Sequence, residues 1–285
     1  MTARNFLITM VVCLYFAWTA PAQTSLVWKF EKGQVYEAER ITSQKQIVTL
    51  KGKQFKQQRG STWQVRLVVK DKQADTFVVA ATLTKVEHQL TGGSDAEVID
   101  QKIQEKMQGG TFILDVTPSG KIAKLQGYDE FLKRIGGENN GRLKALQVTL
   151  PESAFQENFA DLFGPLPPQG DSWKREYVEP IPHFGALRST ASYTQQGDRI
   201  DYTIQTKYET PPKDDKNLLF RIVKGSIDSD QANGTIVFDS AKGHLVGHDR
   251  SMTLRGTLTI EKMERQQPLE FICENVVKIR LRRAN

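Results

Sequence analysis

Long hydrophobic runs are almost absent from this chain of 285 residues. The exception, residues 6–18, covers about thirteen residues, whereas a membrane-spanning helix needs roughly 20. Arg4 precedes the run, and Ala20 and Ala22 follow it in the small-x-small pattern that signal peptidases cut. We therefore predict a signal peptide over residues 1–22, an exported protein that is periplasmic or extracellular, and no transmembrane segment in the mature chain.

Cysteine is scarce as well. Only Cys13 and Cys273 occur, and Cys13 lies inside the predicted signal peptide. Val12 precedes Cys13 at a position where a lipoprotein signal has a small residue, so we predict no lipid anchor. With one cysteine left, the mature chain can form no intrachain disulfide. Cys273 ends the apolar segment 269–273, which favours a buried, unreactive thiol.

Motifs for catalysis, cofactors and metals are also missing. No serine stands between glycines as in a nucleophile elbow, and the glycine pairs are isolated rather than spaced as in a phosphate-binding loop. His244 and His248 are four residues apart, which on a strand places them about 13 Å apart, too far to share a metal ion. We therefore predict surface histidines, no cofactor, no metal and no catalytic residue.

An excess of one charge is lacking too. The chain has 39 Lys and Arg against 33 Asp and Glu, a formal net charge of +6, and the two signs are interleaved along the sequence. No known nucleic-acid-binding motif is present. We expect no nucleic-acid partner.

Alternation of apolar and polar residues, in contrast, is abundant. It runs through residues 63–69, 200–208, 252–260 and 271–281, while residues 77–83 are apolar on both faces. Such segments are typical of antiparallel sheet with one face in water. They predict a mainly β, α+β fold: a large curved antiparallel sheet or half-open barrel with two or three short helices.

Helix signals cluster in the middle of the chain. Residues 128–135 and 151–163 each predict a short helix, and the more polar residues 95–107 are a third candidate. The second of these segments has one apolar stripe, at spacings i, i+4, i+7 and i+8, formed by Phe155, Phe159, Leu162 and Phe163. Two interpretations stay open: the stripe covers one end of the sheet core, or it is a movable lid over an apolar groove that holds a ligand.

Two halves of the chain look alike on either side of the proline-rich residues 164–168. GTFILD at 110–115 is followed by Gly120, and GTIVFD at 234–239 is followed by Gly243. Both patterns predict a strand, a turn and a second strand. We predict a single β-rich domain over residues 23–285, in which residues 23–164 and 165–285 are either degenerate half-repeats or alike by chance.

These segments also carry a family resemblance. VWKFEKG at 27–33 with Tyr36, FILDVTPSGKI at 112–122, PPQGDSW at 167–173 and GTIVFD at 234–239 resemble a family of exported bacterial β-rich proteins of unknown function. The resemblance covers the whole predicted mature chain, and it implies location and fold rather than chemistry. The chain is more loosely similar to the half-open barrels of lipoprotein carriers, which wrap a curved sheet around a groove.

Together these features predict an exported, non-catalytic protein. It would bind an apolar or amphiphilic ligand, such as a lipid, in a groove between the sheet and the helices. The first alternative is a module that contacts another envelope protein or has a structural role. The second alternative is a hydrolase without a recognisable motif, which would need titratable groups converging in a cleft.

Overall fold

The strands form one large antiparallel sheet. The structure is a computed structural model that describes residues 26–92, 101–164, 166, 170–181, 185–209, 221–262 and 265–284. Its eleven strands are β1 (Val35–Leu50), β2 (Lys53–Lys72), β3 (Phe77–Thr91), β4 (Thr111–Val116), β5 (Ile122–Gln126), β6 (Ser172–Ile181), β7 (Gly185–Gln196), β8 (Arg199–Glu209), β9 (Arg221–Asp239), β10 (His244–Lys262) and β11 (Arg265–Arg283). The predicted signal peptide, residues 1–22, lies outside the described residues.

The strand order follows the chain except at one place. The order is β5-β4-β3-β2-β1-β11-β10-β9-β8-β7-β6, so each half of the chain forms an antiparallel meander. The two meanders meet where β1 pairs with β11, from Tyr36 opposite Arg283 to Leu50 opposite Leu269. The first and last strands thus join the halves into a single open sheet.

Four short helices follow or interrupt the first meander: α1 (Gln101–Met107), α2 (Tyr128–Gly136), α3 (Asn140–Thr149) and α4 (Glu152–Phe163). The Asn139 side chain caps α3 by accepting a hydrogen bond from the backbone N–H of Arg142. Gly164, with a φ of 68°, ends α4. Among the described residues, no helix has both the length and the apolar character needed to cross a membrane.

The main core lies between the inner face of the sheet and the helices. Trp28 and Phe30, in the segment before β1, pack edge-on against the Phe163 ring of α4. The Trp28 indole N–H donates a hydrogen bond of 2.9 Å to the Phe163 carbonyl oxygen. The turn between β4 and β5 approaches the same carbonyl, since a Cβ on Gly120 would lie 2.9 Å from it. The end of α4 is therefore fixed by both the sheet and the N-terminal segment.

A second core lies farther along the same face of the sheet. It contains the buried residues Leu187, Ile222, Ile227, Leu254, Leu258 and Cys273. Its members come from β7, β9, β10 and β11, and no described helix contributes to it. The inner face of the sheet therefore has one end under the helices and another built from strands alone.

The observed architecture confirms the predicted fold class. All five segments predicted as strands lie within strands, and both Gly-Thr patterns precede hairpin turns, β4–β5 and β9–β10. The helices at 128–135 and 151–163 agree within one residue, and α1 contains the described part of the third candidate. The exceptions are the helix α3 and the strands β1, β6 and β7, for which no segment is predicted above. The division into half-repeats stays a prediction.

Candidate functional site

A cavity of about 440 Å³ lies on the inner face of the sheet, within the second core. Its lining comes from seven adjacent strands, β1 and β6 to β11. Gln44 of β1 and Tyr177 of β6 belong to the first and last of these strands, yet both line the cavity. The sheet therefore curls around this space.

Strand alternation determines which side chains face the cavity. Inward positions alternate with outward ones along β8, β10 and β11, as expected for a sheet with one wet face. The apolar lining includes Val48, Leu187, Ile204, Ile227, Met252, Leu254, Leu258, Leu269 and Phe271. The polar lining includes Gln44, Gln46, Ser189, Thr206, Arg250 and Asn275.

Gly225 of β9 positions two side chains of the cavity wall, Tyr208 and Leu258. A side chain on Gly225 of β9 would collide with the rings of Tyr208 and Leu258 atoms, so these two side chains lie directly against its backbone. Burial raises the pKa of Tyr208 to about 12, so its hydroxyl stays neutral at ordinary pH. This wall therefore offers the cavity an uncharged surface.

Several polar groups, most of them largely buried, lie on the inner face of the sheet, among them Tyr202 of the main core and Arg250 of the cavity lining. Arg40 of β1 forms an ion pair of 3.1 Å with Asp161 of α4, and their side chains are 11% and 23% exposed. Tyr202 Oη and His248 Nε2 share a hydrogen bond of 2.6 Å. Burial lowers the pKa of His248 and raises that of Tyr202, so both are neutral near pH 7. We call these four residues, with Arg250, the polar band.

The amide of Asn275 has an unsatisfied atom at the polar end of the cavity. Its Oδ1 is buried and accepts no hydrogen bond in the part of the chain that the structure describes. By register, Asn275 lies opposite Gln44 on one side and Met252 on the other. Buried polar atoms normally have a partner, so an unpaired one in a cavity lining is a candidate contact for a bound molecule.

The apolar stripe predicted for α4 lies in the main core, not at the cavity. Phe155, Phe159, Leu162 and Phe163 are at most 2% exposed. Phe155 packs on Trp63, Phe112 and Phe131, which fills the space between α4 and the sheet. None of the four stripe residues is among the cavity-lining residues in the described ranges. The lid role stays a prediction, while the cavity lies against strands rather than between sheet and helices.

The prediction of surface histidines is wrong. His244 is 7% and His248 3% exposed. Among the described residues, no group of three or more His, Cys, Asp or Glu side chains could hold a metal ion. The histidines are thus part of the interior polar arrangement.

Cys273 is buried, as predicted, and it also lines the cavity, which the sequence did not indicate. The Gln44 amide donates a hydrogen bond of 3.2 Å to its Sγ. The sequence also gave no indication that Arg250 and Asn275 line a cavity. Their inward positions follow from the alternation, but an arginine among alternating residues is usually assigned to the solvent face.

No protein-family model and no curated protein matches the sequence. The resemblance to a family of exported bacterial proteins therefore stays a prediction.

Three solved structures are similar to the chain in part, all at low sequence identity. Lipovitellin, in a structure concerned with lipid–protein interactions, is 10% identical with a TM-score of 0.44, over 89% of this chain and 25% of that chain. An outer membrane channel from Pseudomonas putida is 10% identical with a TM-score of 0.23, over 92% and 99%. A DUF1329 family protein from Desulfovibrio piger is 11% identical with a TM-score of 0.12, over 89% and 87%. This chain spans about a quarter of lipovitellin, and with scores this low no function is argued from these similarities.

Proposed function

We propose that the protein binds the apolar chain of an amphiphilic molecule in the cavity of the curled sheet. The cavity itself is the observation that carries this proposal. Its volume of about 440 Å³ falls within the range of about 300–1,000 Å³ that is usual for small-molecule sites. Its lining combines aliphatic and aromatic side chains with a few polar groups, which is also typical of such sites.

The energetics favour an elongated apolar occupant. Each buried methylene contributes about 0.8 kcal/mol, so a chain with about ten of them gains about 8 kcal/mol before the costs of immobilisation. Export, predicted from residues 1–22, would place this binding outside the cytoplasm.

A single bulky substitution tests the proposal. Leu258→Trp introduces an indole into the cavity, whereas Thr257→Trp adds the same group to the exposed outer face of the same strand. In titrations with the neutral fluorophore N-phenyl-1-naphthylamine, we expect saturable binding to the unaltered protein and to Thr257→Trp. We expect Leu258→Trp to bind at least about tenfold more weakly, a loss of about 1.4 kcal/mol.

Circular dichroism and thermal melts check that both variants fold. If Leu258→Trp does not fold, Ile227→Phe fills the cavity from β9 with a smaller change in volume. Equal fluorophore affinity in a folded cavity-filling variant and in Thr257→Trp would contradict the proposal.

A second candidate function is supported by the edge of the sheet. β6 is the last strand in the order, and its Tyr177 and Val178 are 39% and 47% exposed. A strand of another envelope protein could pair with such an edge. The two candidate functions predict different outcomes. If the edge is the functional feature, a variant that blocks the β6 edge loses function, whereas a variant that fills the cavity keeps it.

A further inference from the structure

The β1–β2 hairpin carries basic side chains and no acidic ones over a long stretch. Between Glu39 and Asp71 the sequence contains no Asp or Glu. The far part of this hairpin, residues 45–59, is called the hairpin end below, and its bases are Lys45, Lys51, Lys53, Lys56 and Arg59. The three lysines around the turn, at positions 51, 53 and 56, are exposed.

The hairpin end projects past β3, its neighbour in the sheet. Strand β2 pairs with β1 from Lys53 onward, whereas its pairing with β3 begins only at Gln58. Lys51 and Gly52 form the two-residue turn, with positive φ values of 52° and 75°, as a tight hairpin turn requires. Among the described strands, the turn and the first residues of β2 therefore have a neighbour on one side only.

The apolar lining of the cavity continues outward to the hairpin end. Residues that lie opposite each other in antiparallel strands present their side chains to the same face of the sheet. Phe55 of β2 lies opposite Val48 of β1, and Val48 lies opposite Phe271 of β11. Val48 and Phe271 line the cavity, while Phe55, the next residue in this row, is 59% exposed. The row leads from the cavity to an exposed aromatic ring.

A second row leads from the cavity to a lysine. Lys53 lies opposite Leu50, and Leu50 lies opposite Leu269, which lines the cavity. Lysines alone could serve to protect a free sheet edge, but an exposed Phe55 among them works against that role. An apolar ring flanked by lysines is instead suited to a membrane surface, where the ring enters the acyl boundary and the ammonium groups attract anionic lipids.

The acids around this end are fewer than the bases. Glu261 and Glu270 of the β10–β11 hairpin are matched in number by Lys262 and Arg265 of the same hairpin. Glu270 faces the outer side of the sheet, since the residues before and after it line the cavity. Four more acids, at positions 95, 97, 100 and 264, belong to segments outside the described residues. The five bases of the hairpin end exceed these four acids.

Resting on the proposed function, we propose that the hairpin end docks on a bilayer that contains anionic phospholipids. Phe55 enters the acyl boundary, and the exposed lysines at positions 51, 53 and 56 contact the head groups. The amphiphile passes between the bilayer and the cavity along the two rows that end at Phe55 and Lys53. The basic charge favours anionic over neutral lipid, and the apolar row favours a bilayer over a purely polar acidic polymer.

Cosedimentation with vesicles tests the docking surface. We expect saturable binding to vesicles of phosphatidylcholine mixed with phosphatidylglycerol, weakened by added salt, and much weaker binding to phosphatidylcholine alone. The triple variant Lys51→Gln/Lys53→Gln/Lys56→Gln should bind the mixed vesicles about a hundredfold more weakly, because each lysine near the surface contributes about fivefold.

The matched control removes the same charge at the opposite end of the strands. Lys70→Gln/Lys121→Gln/Lys124→Gln changes three exposed lysines of β2, of the β4–β5 turn and of β5. This variant should bind the mixed vesicles about as tightly as the unaltered protein. Circular dichroism checks the fold of both triple variants, and if the first does not fold, Lys53→Gln alone should bind about fivefold more weakly.

Two substitutions at Phe55 test its insertion. Phe55→Ala should weaken binding to the mixed vesicles by about tenfold or more, since the ring no longer leaves water. Phe55→Trp adds an exposed indole, whose fluorescence should shift to the blue on the mixed vesicles and not on phosphatidylcholine vesicles. An unshifted spectrum together with full affinity of Phe55→Ala would contradict insertion of this residue.

Different outcomes separate the two proposals. Vesicle binding by a protein that does not bind N-phenyl-1-naphthylamine, measured without vesicles, would overturn the proposed function and leave the docking surface standing. Fluorophore binding without binding to the mixed vesicles, or equal losses in the two triple variants, would overturn the docking surface alone. Tighter binding to dextran sulfate than to the mixed vesicles would also overturn the bilayer, in favour of an acidic polysaccharide.

Discussion

The buried His248 makes stability depend on pH in a defined direction. Burial lowers its pKa in the folded protein, as it does for His88 and His244, while in the unfolded chain these groups titrate near 6.5. The unfolded chain therefore takes up protons first as the pH falls through this value. The contribution to stability is full above pH 6.5 and is lost progressively below it.

We expect the free energy of unfolding, measured by urea denaturation between about pH 5 and pH 8, to decrease toward acid by up to about 1.4 kcal/mol per pH unit for each such histidine. His248→Gln should reduce this slope without abolishing it, because His88 and His244 remain. Tyr202→Phe removes the hydroxyl bonded to His248 but keeps the titrating ring, so its slope should remain. An unchanged slope in His248→Gln would mean that His248 is not a source of the pH dependence.

The sequence predicts the burial of some single residues and not of others, because burial depends on near neighbours in some cases and on distant partners in others. The burial of Cys273 is predictable because its neighbours are apolar. The burial of His248 is not, because it depends on a hydrogen-bond partner, Tyr202, 46 residues away. From the sequence, Arg250 would likewise be assigned to the surface, whereas in the structure it lines the cavity of the curled sheet.

The placement of α4 depends on the ion pair between Arg40 and Asp161, whose side chains are largely buried. Asp161→Asn leaves the Arg40 guanidinium without its counter-charge, and burial already lowers the pKa of Arg40. We expect this change to reduce the free energy of unfolding by about 2 kcal/mol, below the 3–5 kcal/mol of a fully buried pair because Asp161 is partly exposed.

The matched control is Glu209→Gln, which breaks the exposed pair of Glu209 with Arg188, whose side chains are 42% and 51% exposed. It should cost less than about 1 kcal/mol. Chemical denaturation measures both variants, and equal losses would show that the Arg40–Asp161 pair does not anchor α4.

Most elements follow from the sequence because their pattern is local. The stripe from Phe155 to Phe163 is enough to identify α4, and alternation identifies the long strands. Among the helices the exception is α3, which has few apolar positions, and Val148 within it is 83% exposed. Its capping asparagine, Asn139, was the signal that could have indicated it.

The cavity belongs to the whole molecule, and no local pattern predicts it. It needs β1 to pair with β11, across the full length of the chain, and it needs β6 to curl toward β1. The sequence predicts a ligand groove between the sheet and the helices and leaves open whether the α4 stripe is a lid or a cover of the core. In the structure, aromatic rings pack between α4 and the sheet, and the cavity is lined by strands alone. An apolar site was thus expected, but its position depends on the curvature of seven strands.

Native mass spectrometry after incubation with palmitate tests the central claim most directly. We predict one palmitate bound per protein molecule, retained in Thr257→Trp and lost in Leu258→Trp. The same adduct in both variants, or several palmitates bound without saturation, would contradict binding in the cavity of the curled sheet.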